Sequence, residues 1–477
     1  MRSLLVIGLL AALPTLAFGQ EAKVDSSAIK VVKIDRKDPV TFEKDIYPVL
    51  RAKCTVCHSG SQKEGKLDLD SYEGLIKGGK RGASVKPGKP DESLLIVTAG
   101  RTGAPKMPPP KEVTQKPLSP EELALFKLWV EQGAKAPTTV IERPKAVVSL
   151  PPAGVKPVRA LAVSPDKSAV AAGRGNQIHV YDASSGTYIR TLLDPSVMTP
   201  DKKPVQAAHL SLVESLAFSP DGKLLASGSY QEVTLWDVQT GAVKQKLTGF
   251  ADRVVTMAFS NNGQLLATGG GAPTEDGEIK LFEVASGKLV TDIKNGHSDT
   301  VFGVSFSPDD KMLATCGADK FVKVFEVPGG KFIKSFEGHT HHVLDVGWKS
   351  DGKLLVSGSA DNSVKIWDFE KGEQVRTIAN AHSKQVTRLV FIGKTPMFLT
   401  SSADNTVKKW NVDNGQPQGP NFGGSTDSLY AVGSSADGLI VASGGEEGIV
   451  RLYKGDNGQL IKALLPPGEE PAPAPKK

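Results

Sequence analysis

The chain has 477 residues, 39% of them hydrophobic, a formal net charge of +6 at pH 7 and three cysteines. That length is more than one ordinary domain needs and enough for two, and the apolar fraction is that of a soluble globular protein. No stretch is long and apolar enough for a transmembrane helix, and no basic stripe interleaved with aromatics points to nucleic acid.

Arg2 precedes an apolar run from Leu4 to Leu13, Pro14 breaks the run, and Ala17-Phe18-Gly19 supplies small residues ahead of Gln20. This is the pattern of a cleaved signal peptide over residues 1–19, and it predicts an exported protein, periplasmic or secreted. Residues 20–40 are polar and lysine-rich without a sustained period and read as a linker. From Thr41 the pattern changes: Thr41 can cap a helix whose apolar positions Phe42, Ile46, Val49 and Leu50 share one face, and the helix runs into Cys54.

Cys54-Thr55-Val56-Cys57-His58 is a C-x-x-C-H sequence, the signature of covalent c-type haem attachment. Both thiols must reach the two vinyl groups of one porphyrin while the adjacent imidazole turns its free nitrogen to the iron. Cys54 and Cys57 would carry the thioethers and His58 would be the proximal ligand, giving one haem c per chain. Other readings lack context. Zinc needs four ligands, and the nearest other histidine and cysteine are His179 and Cys316. A thioredoxin-like pair wants a βαβ setting, and a disulfide leaves the placing of His58 to coincidence. Cys316 alone reads as a buried strand residue.

Gly60 to Gly103 is loop-rich, with short helices expected near Ser71–Ile76 and Asp91–Val97. The domain closes with a marked helix: Ser119 as N-cap, Pro120 at the first helical position, Glu122 completing a capping box, and Gly133 at the end. Leu123, Phe126, Trp129 and Val130 form its buried face. Between Gln20 and Pro137 there is no second histidine, and Met107 is the one methionine. It sits in Lys106-Met107-Pro108-Pro109-Pro110, where prolines restrict the backbone and could hold the thioether at the iron; packing on the porphyrin edge or a plain surface loop is the other reading. Met/His ligation suits electron transfer.

Asp45-Ile46-Tyr47-Pro48-Val49-Leu50, Cys54 to His58, Gly65-Lys66-Leu67-Asp68-Leu69, Pro87 to Leu94, Met107-Pro108-Pro109 and Leu128 to Ala134 together resemble the cytochrome c-like domain common in planctomycete exported proteins. The resemblance implies a small all-α, class I-like cytochrome c fold over residues 41–136 and carries over Cys54, Cys57, His58 and Met107, the last two as iron ligands. Residues 21–137 hold 21 Lys and Arg against 16 Asp and Glu. Lys53, Lys63, Lys66, Lys77, Lys80, Arg81, Lys86 and Lys89 fall in or near the haem-flanking loops, either as a rim that steers an acidic redox partner or as an ordinary solvated surface.

Residues 137–152 read as linker with a candidate first strand. After them the chain repeats itself. Ala217 to Gly228, with Val233 to Asp237, recurs as Val304 to Gly317 with Val322 to Phe325, and as Gly347 to Gly358 with Val364 to Asp368. Weaker copies begin near Ala160, Thr256, Leu389 and Ala431, with an insertion around Pro195 to Gln206. The period of about 41–47 residues resembles WD40 repeats and implies a seven-bladed, all-β propeller over 153–465. His339, Ser357, Asp361 and Trp367 match the hydrogen-bonded tetrad of such blades, as do His382, Thr400, Asp404 and Trp410. His297 and Asp319 are followed by Phe325 where tryptophan is expected, so that network should be incomplete. His341 and His342 should be surface residues. Ala146 to Leu150 and Ile461 to Leu465 both look like outer strands, one of them surplus to the ring, and residues 466–477 should be disordered.

The propeller shows no motif of catalysis. The expected function is electron transfer by an exported mono-haem cytochrome domain, with the propeller docking proteins, among them a redox partner. The alternatives are a propeller scaffold or redox sensor in which the haem domain is regulatory, and a haem peroxidase-like enzyme with open iron.

Overall fold

The structure is a computed structural model and describes residues 28–36, 38–58, 64–109, 116–138, 150–151, 157–273 and 276–468. The signal peptide, residues 20–27 of the first linker, Lys63, most of the second linker with residues 146–149 of the candidate strand, and the tail from 469 lie outside the described residues. The chain divides into two compact units, Met1–Ile141 and Glu142–Lys477.

The first unit holds helices α1 (Tyr47–Lys53), α2 (Thr55–His58), α3 (Tyr72–Lys77), α4 (Leu94–Ala99) and α5 (Pro120–Glu131). The expected first helix opens as a π-helical turn, Phe42–Ile46, before α1. Thr41 precedes it, but its side chain makes no capping bond. Instead the Asp45 carboxylate accepts the Thr41 N–H at 2.8 Å, which meets the same need for an acceptor at a helix start. The helix near Asp91–Val97 is split. Ser93 sits in extended backbone between a 3₁₀ turn, Pro90–Glu92, and α4. Its hydroxyl donates to Lys89 O and accepts from Lys86 N–H, both at 2.9 Å, a local alternative to continuing the helix. Ser71 caps α3. At α5 Ser119 and Glu122 form the reciprocal capping box, and Gly133 leaves the helix at φ +92°. Phe42, Ile46, Leu50, Leu75, Trp129 and Val130 are buried together. The Phe42 and Trp129 ring centroids lie 5.6 Å apart.

Among its described residues the second unit contains seven antiparallel sheets in chain order. Their inner strands are Val158–Val163, Ser215–Phe218, Val254–Phe259, Val301–Phe306, Val343–Trp348, Val386–Phe391 and Leu429–Ser434. Six sheets have four strands. The sixth has three, its outer edge covered by isolated bridges from Pro417 and Phe422, because Pro417 and Pro420 cannot donate to a regular ladder. Buried apolar clusters fill the gaps between neighbouring blades, and one of them joins the first blade to the seventh. Cys316 lies fully buried in the cluster between blades four and five.

Ring closure uses side chains. Leu460–Leu464 is the outer strand of blade seven, and both end blades are built from their own consecutive strands. Arg174 of blade one donates from Nε to Gly448 O and from Nη2 to Leu464 O, each at 2.8 Å, and from Nη1 to the Tyr181 hydroxyl at 2.7 Å. That hydroxyl donates to Leu465 O at 3.1 Å. Arg388 of blade six reaches Phe302 O of blade four and Val255 O of blade three, both at 2.9 Å. It therefore ties blades that are not neighbours, at the central channel.

Candidate functional site

In the first unit Cys54, Cys57, His58 and Met107 line one cavity of about 280 Å³. Cys54 is the C-cap of α1, and Cys57 and His58 follow at once on the single turn of α2; the junction is anchored by bonds from Cys54 N–H to Leu50 O at 2.7 Å and from His58 N–H to Cys54 O at 3.1 Å. Leu67, Leu69, Leu94, Leu95 and Leu118 supply an apolar wall. The C-x-x-C spacing and the far-off methionine thus converge on one greasy slot.

His58 Nδ1 lies 3.1 Å from Glu64 O. A carbonyl only accepts, so Nδ1 carries the proton and donates, which leaves Nε2 as the lone-pair nitrogen; such a partner fixes both tautomer and ring orientation of a metal-binding histidine. No disulfide joins Cys54 to Cys57. Burial pushes the Cys54 thiol up to about 12, with Lys53 opposing and Glu122 adding to the rise. A redox-active C-x-x-C cysteine needs the reverse, a stabilised thiolate. Among the described residues no group of three or more His, Cys, Asp and Glu could hold a metal ion.

The methionine sits on a strap that leaves α4. Met107 N–H donates to Thr98 O at 3.0 Å, Arg81 Nη1 to Ala104 O at 2.7 Å, and Arg101 Nη2 to Pro108 O at 3.3 Å.

The cation rim is smaller than the sequence suggested. Lys53 is engaged by Glu122 and Pro117 O, while Lys86 and Lys89 both pair with Glu92. Lys80, Arg81 and Lys116 line the cavity, and they are exposed. Sequence reading missed Lys116. A haem suits this set: two thiols for its vinyls, an imidazole with a free nitrogen, a thioether, apolar walls for the macrocycle and cations for its carboxylates.

In the propeller the expected tetrads form. His339 lies 2.9 Å from Asp361 and 2.8 Å from Ser357, whose hydroxyl also takes the Trp367 indole N–H at 2.8 Å. His382, Asp404, Thr400 and Trp410 repeat the pattern. His297 bonds Asp319 and Thr315, each at 2.8 Å, and Phe325 leaves the tetrad one donor short. A fourth network went unread. In blade two His209 lies 2.5 Å from Glu232 and 2.7 Å from Ser227, and Trp236 donates to Ser227 at 2.7 Å. The signal was present in the spacing, since His209 precedes Ser227 by the same 18 residues that separate His339 from Ser357. These histidines are structural. His341 is exposed as expected, but His342 is half-buried, its ring 6.1 Å from Phe302, and burial lowers its pKa. The adjoining strand start presses it against blade four.

Comparison with known proteins agrees with this division. The Planctomycete cytochrome C family matches residues 54–111. The WD domain, G-beta repeat family matches 202–237, 241–283, 287–326, 330–368 and 372–411. Similar proteins include WD repeat-containing protein SL1-17 of Schistosoma mansoni, 36% identical over 25% of this chain and 38% of its own. Pre-mRNA-processing factor 19 homolog 2 of Arabidopsis thaliana is 31% identical over 36% and 29%. Actin-interacting protein 1 of Drosophila melanogaster is 30% identical over 40% and 29%. The chain therefore spans well under half the length of each of these relatives. It carries a planctomycete-type cytochrome c segment ahead of a WD40-repeat β-propeller with seven blades.

Proposed function

We propose that this protein is an exported electron carrier, its first unit holding one covalent haem c and its propeller docking protein partners. The observation that carries the reading is the convergence of Cys54, Cys57, His58 and Met107 on one apolar cavity. When bound, the haem supplies reversible one-electron exchange at its iron. Cys54 and Cys57 would hold it through thioethers. His58 presents Nε2 because Glu64 O fixes its other nitrogen. Met107 presents a thioether, a weak donor that favours the reduced state and raises the potential. The leucine wall keeps water away and reduces the reorganisation that accompanies each transfer. Lys80, Arg81 and Lys116 draw an acidic partner to the cavity mouth. WD-repeat relatives support the docking role of the propeller, and the charged, apolar-cored N-terminal run supports export.

Protein matured in a cell competent for c-type haem attachment should be coloured, with Cys54 and Cys57 blocked to alkylation. Its ferric form should be low-spin with the far-red methionine-to-iron band, which Met107→Ala abolishes. A colourless product with both thiols reactive would sink the proposal, and a high-spin holoprotein turning over peroxide would convert it into the enzyme reading.

A further inference from the structure

We propose that Arg101 is the positioning residue for Met107: its buried guanidinium, helped by Arg81, holds the strap so that the thioether stays at the cavity. This rests on the reading of His58 and Met107 as the iron ligands. The strap has a specific difficulty. Pro105, Pro108 and Pro109 have no N–H to give, so this stretch can be tied down mainly through its carbonyls, which need donors from elsewhere. The backbone supplies part of the anchoring, with Thr102 and Gly103 N–H donating to Val97 O at 3.1 and 3.2 Å and Met107 N–H to Thr98 O at 3.0 Å. The carbonyls on either side of Met107 are reached by side chains. Arg81 Nη1 takes Ala104 O at 2.7 Å and Arg101 Nη2 takes Pro108 O at 3.3 Å.

The backbone at Arg101 argues that its side chain is needed there. The residue follows the last turn of α4 with φ +61°, a left-handed conformation in which glycine is at ease and a residue with a β-carbon is strained. A glycine would turn the chain more easily. Arginine is found instead, 2% exposed, and a buried guanidinium is tolerated where it meets acceptors. The acceptor shown is the carbonyl of the residue next to the methionine. A planar, fixed fork is better suited to that task than a flexible ammonium.

The test uses holoprotein with the ferric spectrum and the binding of added imidazole as readouts, both at temperatures well below unfolding and at unchanged haem content. In Arg101→Met the far-red methionine band should weaken, and imidazole should bind roughly tenfold tighter as the unligated population grows. Arg101→Lys should recover part of both. Should Arg101→Met fail to accumulate, Arg81→Ala, at an exposed position, reads the second tether and should move both readouts in the same direction. Variants that keep the band and bind imidazole within twofold of wild type overturn the inference. Failure of the underlying reading looks different: the wild type itself lacks the band, and Met107→Ala changes neither measurement.

Discussion

Arg174 clasps the propeller, and Arg174→Met removes the clasp while keeping most of its bulk. The side chain is nearly fully buried, and its donors meet Gly448 O, Leu464 O and the Tyr181 hydroxyl at 2.7–2.8 Å. Bonds from a charged donor contribute roughly 1.5–3 kcal/mol each, but the methionine also escapes the desolvation of a buried guanidinium. Leaving buried neutral acceptors without a donor costs about 1–3 kcal/mol each, and after that offset we expect the variant to lose about 2–4 kcal/mol. The loss should be local, since among the described residues the first and seventh blades are joined by side chains and an apolar cluster, with no shared strand. Hydrogen exchange resolved by segment is the assay, supported by urea unfolding. Protection should drop first in Val158–Val163 and Leu429–Ser434, while Val301–Phe306 stays protected. As a control, Lys454→Met, at an exposed position, should shift stability by no more than about 0.5 kcal/mol. A loss under about 1 kcal/mol, or faster exchange spread evenly round the ring, would refute closure by this clasp.

Acid should weaken the first blade through His179, which burial, aided by the charge of Arg174, pulls down to about 4. The unfolded residue titrates near 6.5 and so takes its proton first; this contribution is intact above about pH 6.5 and fades as pH falls to about 4, a loss of roughly 3 kcal/mol. Urea midpoints at pH 7 and 4.5 should converge in His179→Gln; an unchanged slope contradicts the assignment. Phe325→Trp should supply the missing indole donor to Thr315, as Trp367 does to Ser357 in blade five. We expect a gain of about 0.5–1.5 kcal/mol, read as a higher melting temperature, and a lower one would mean the blade is overpacked. Replacing Lys80 and Lys116 together by Gln should slow oxidation by ferricyanide about three- to tenfold at low salt and speed reduction by hexaammineruthenium. Equal effects on both reagents would exclude steering by these lysines.

Much of the architecture could be read from the chain because it is locally encoded. Ser119, Pro120 and Glu122 start α5 by contacts within one turn, and the blades repeat their turn residues, with tryptophan at the third strand of blades two, five and six. The incomplete tetrad at Phe325 was legible for the same reason. The Thr41 cap was misjudged, because a hydroxyl at the expected place does not reveal that Asp45, one turn on, takes the backbone donor. The His209 network was hidden because its acid is Glu232 and its histidine follows the insertion around Pro195 to Gln206, so the familiar aspartate was missing.

Sequence alone determined the chemistry that lies within a few residues: thiols and imidazole on one turn, capping boxes, the period and number of the blades. Tertiary structure decided whatever joins distant segments. It brought Met107 to the cavity that His58 lines, engaged Lys53, Lys86 and Lys89 with Glu122 and Glu92, and closed the ring through Arg174. The physical reason is reach. A capping bond or a tight turn is fixed by neighbours along the chain, whereas a long side chain finds its acceptor only after separate segments have packed, and no local pattern records which carbonyl that will be.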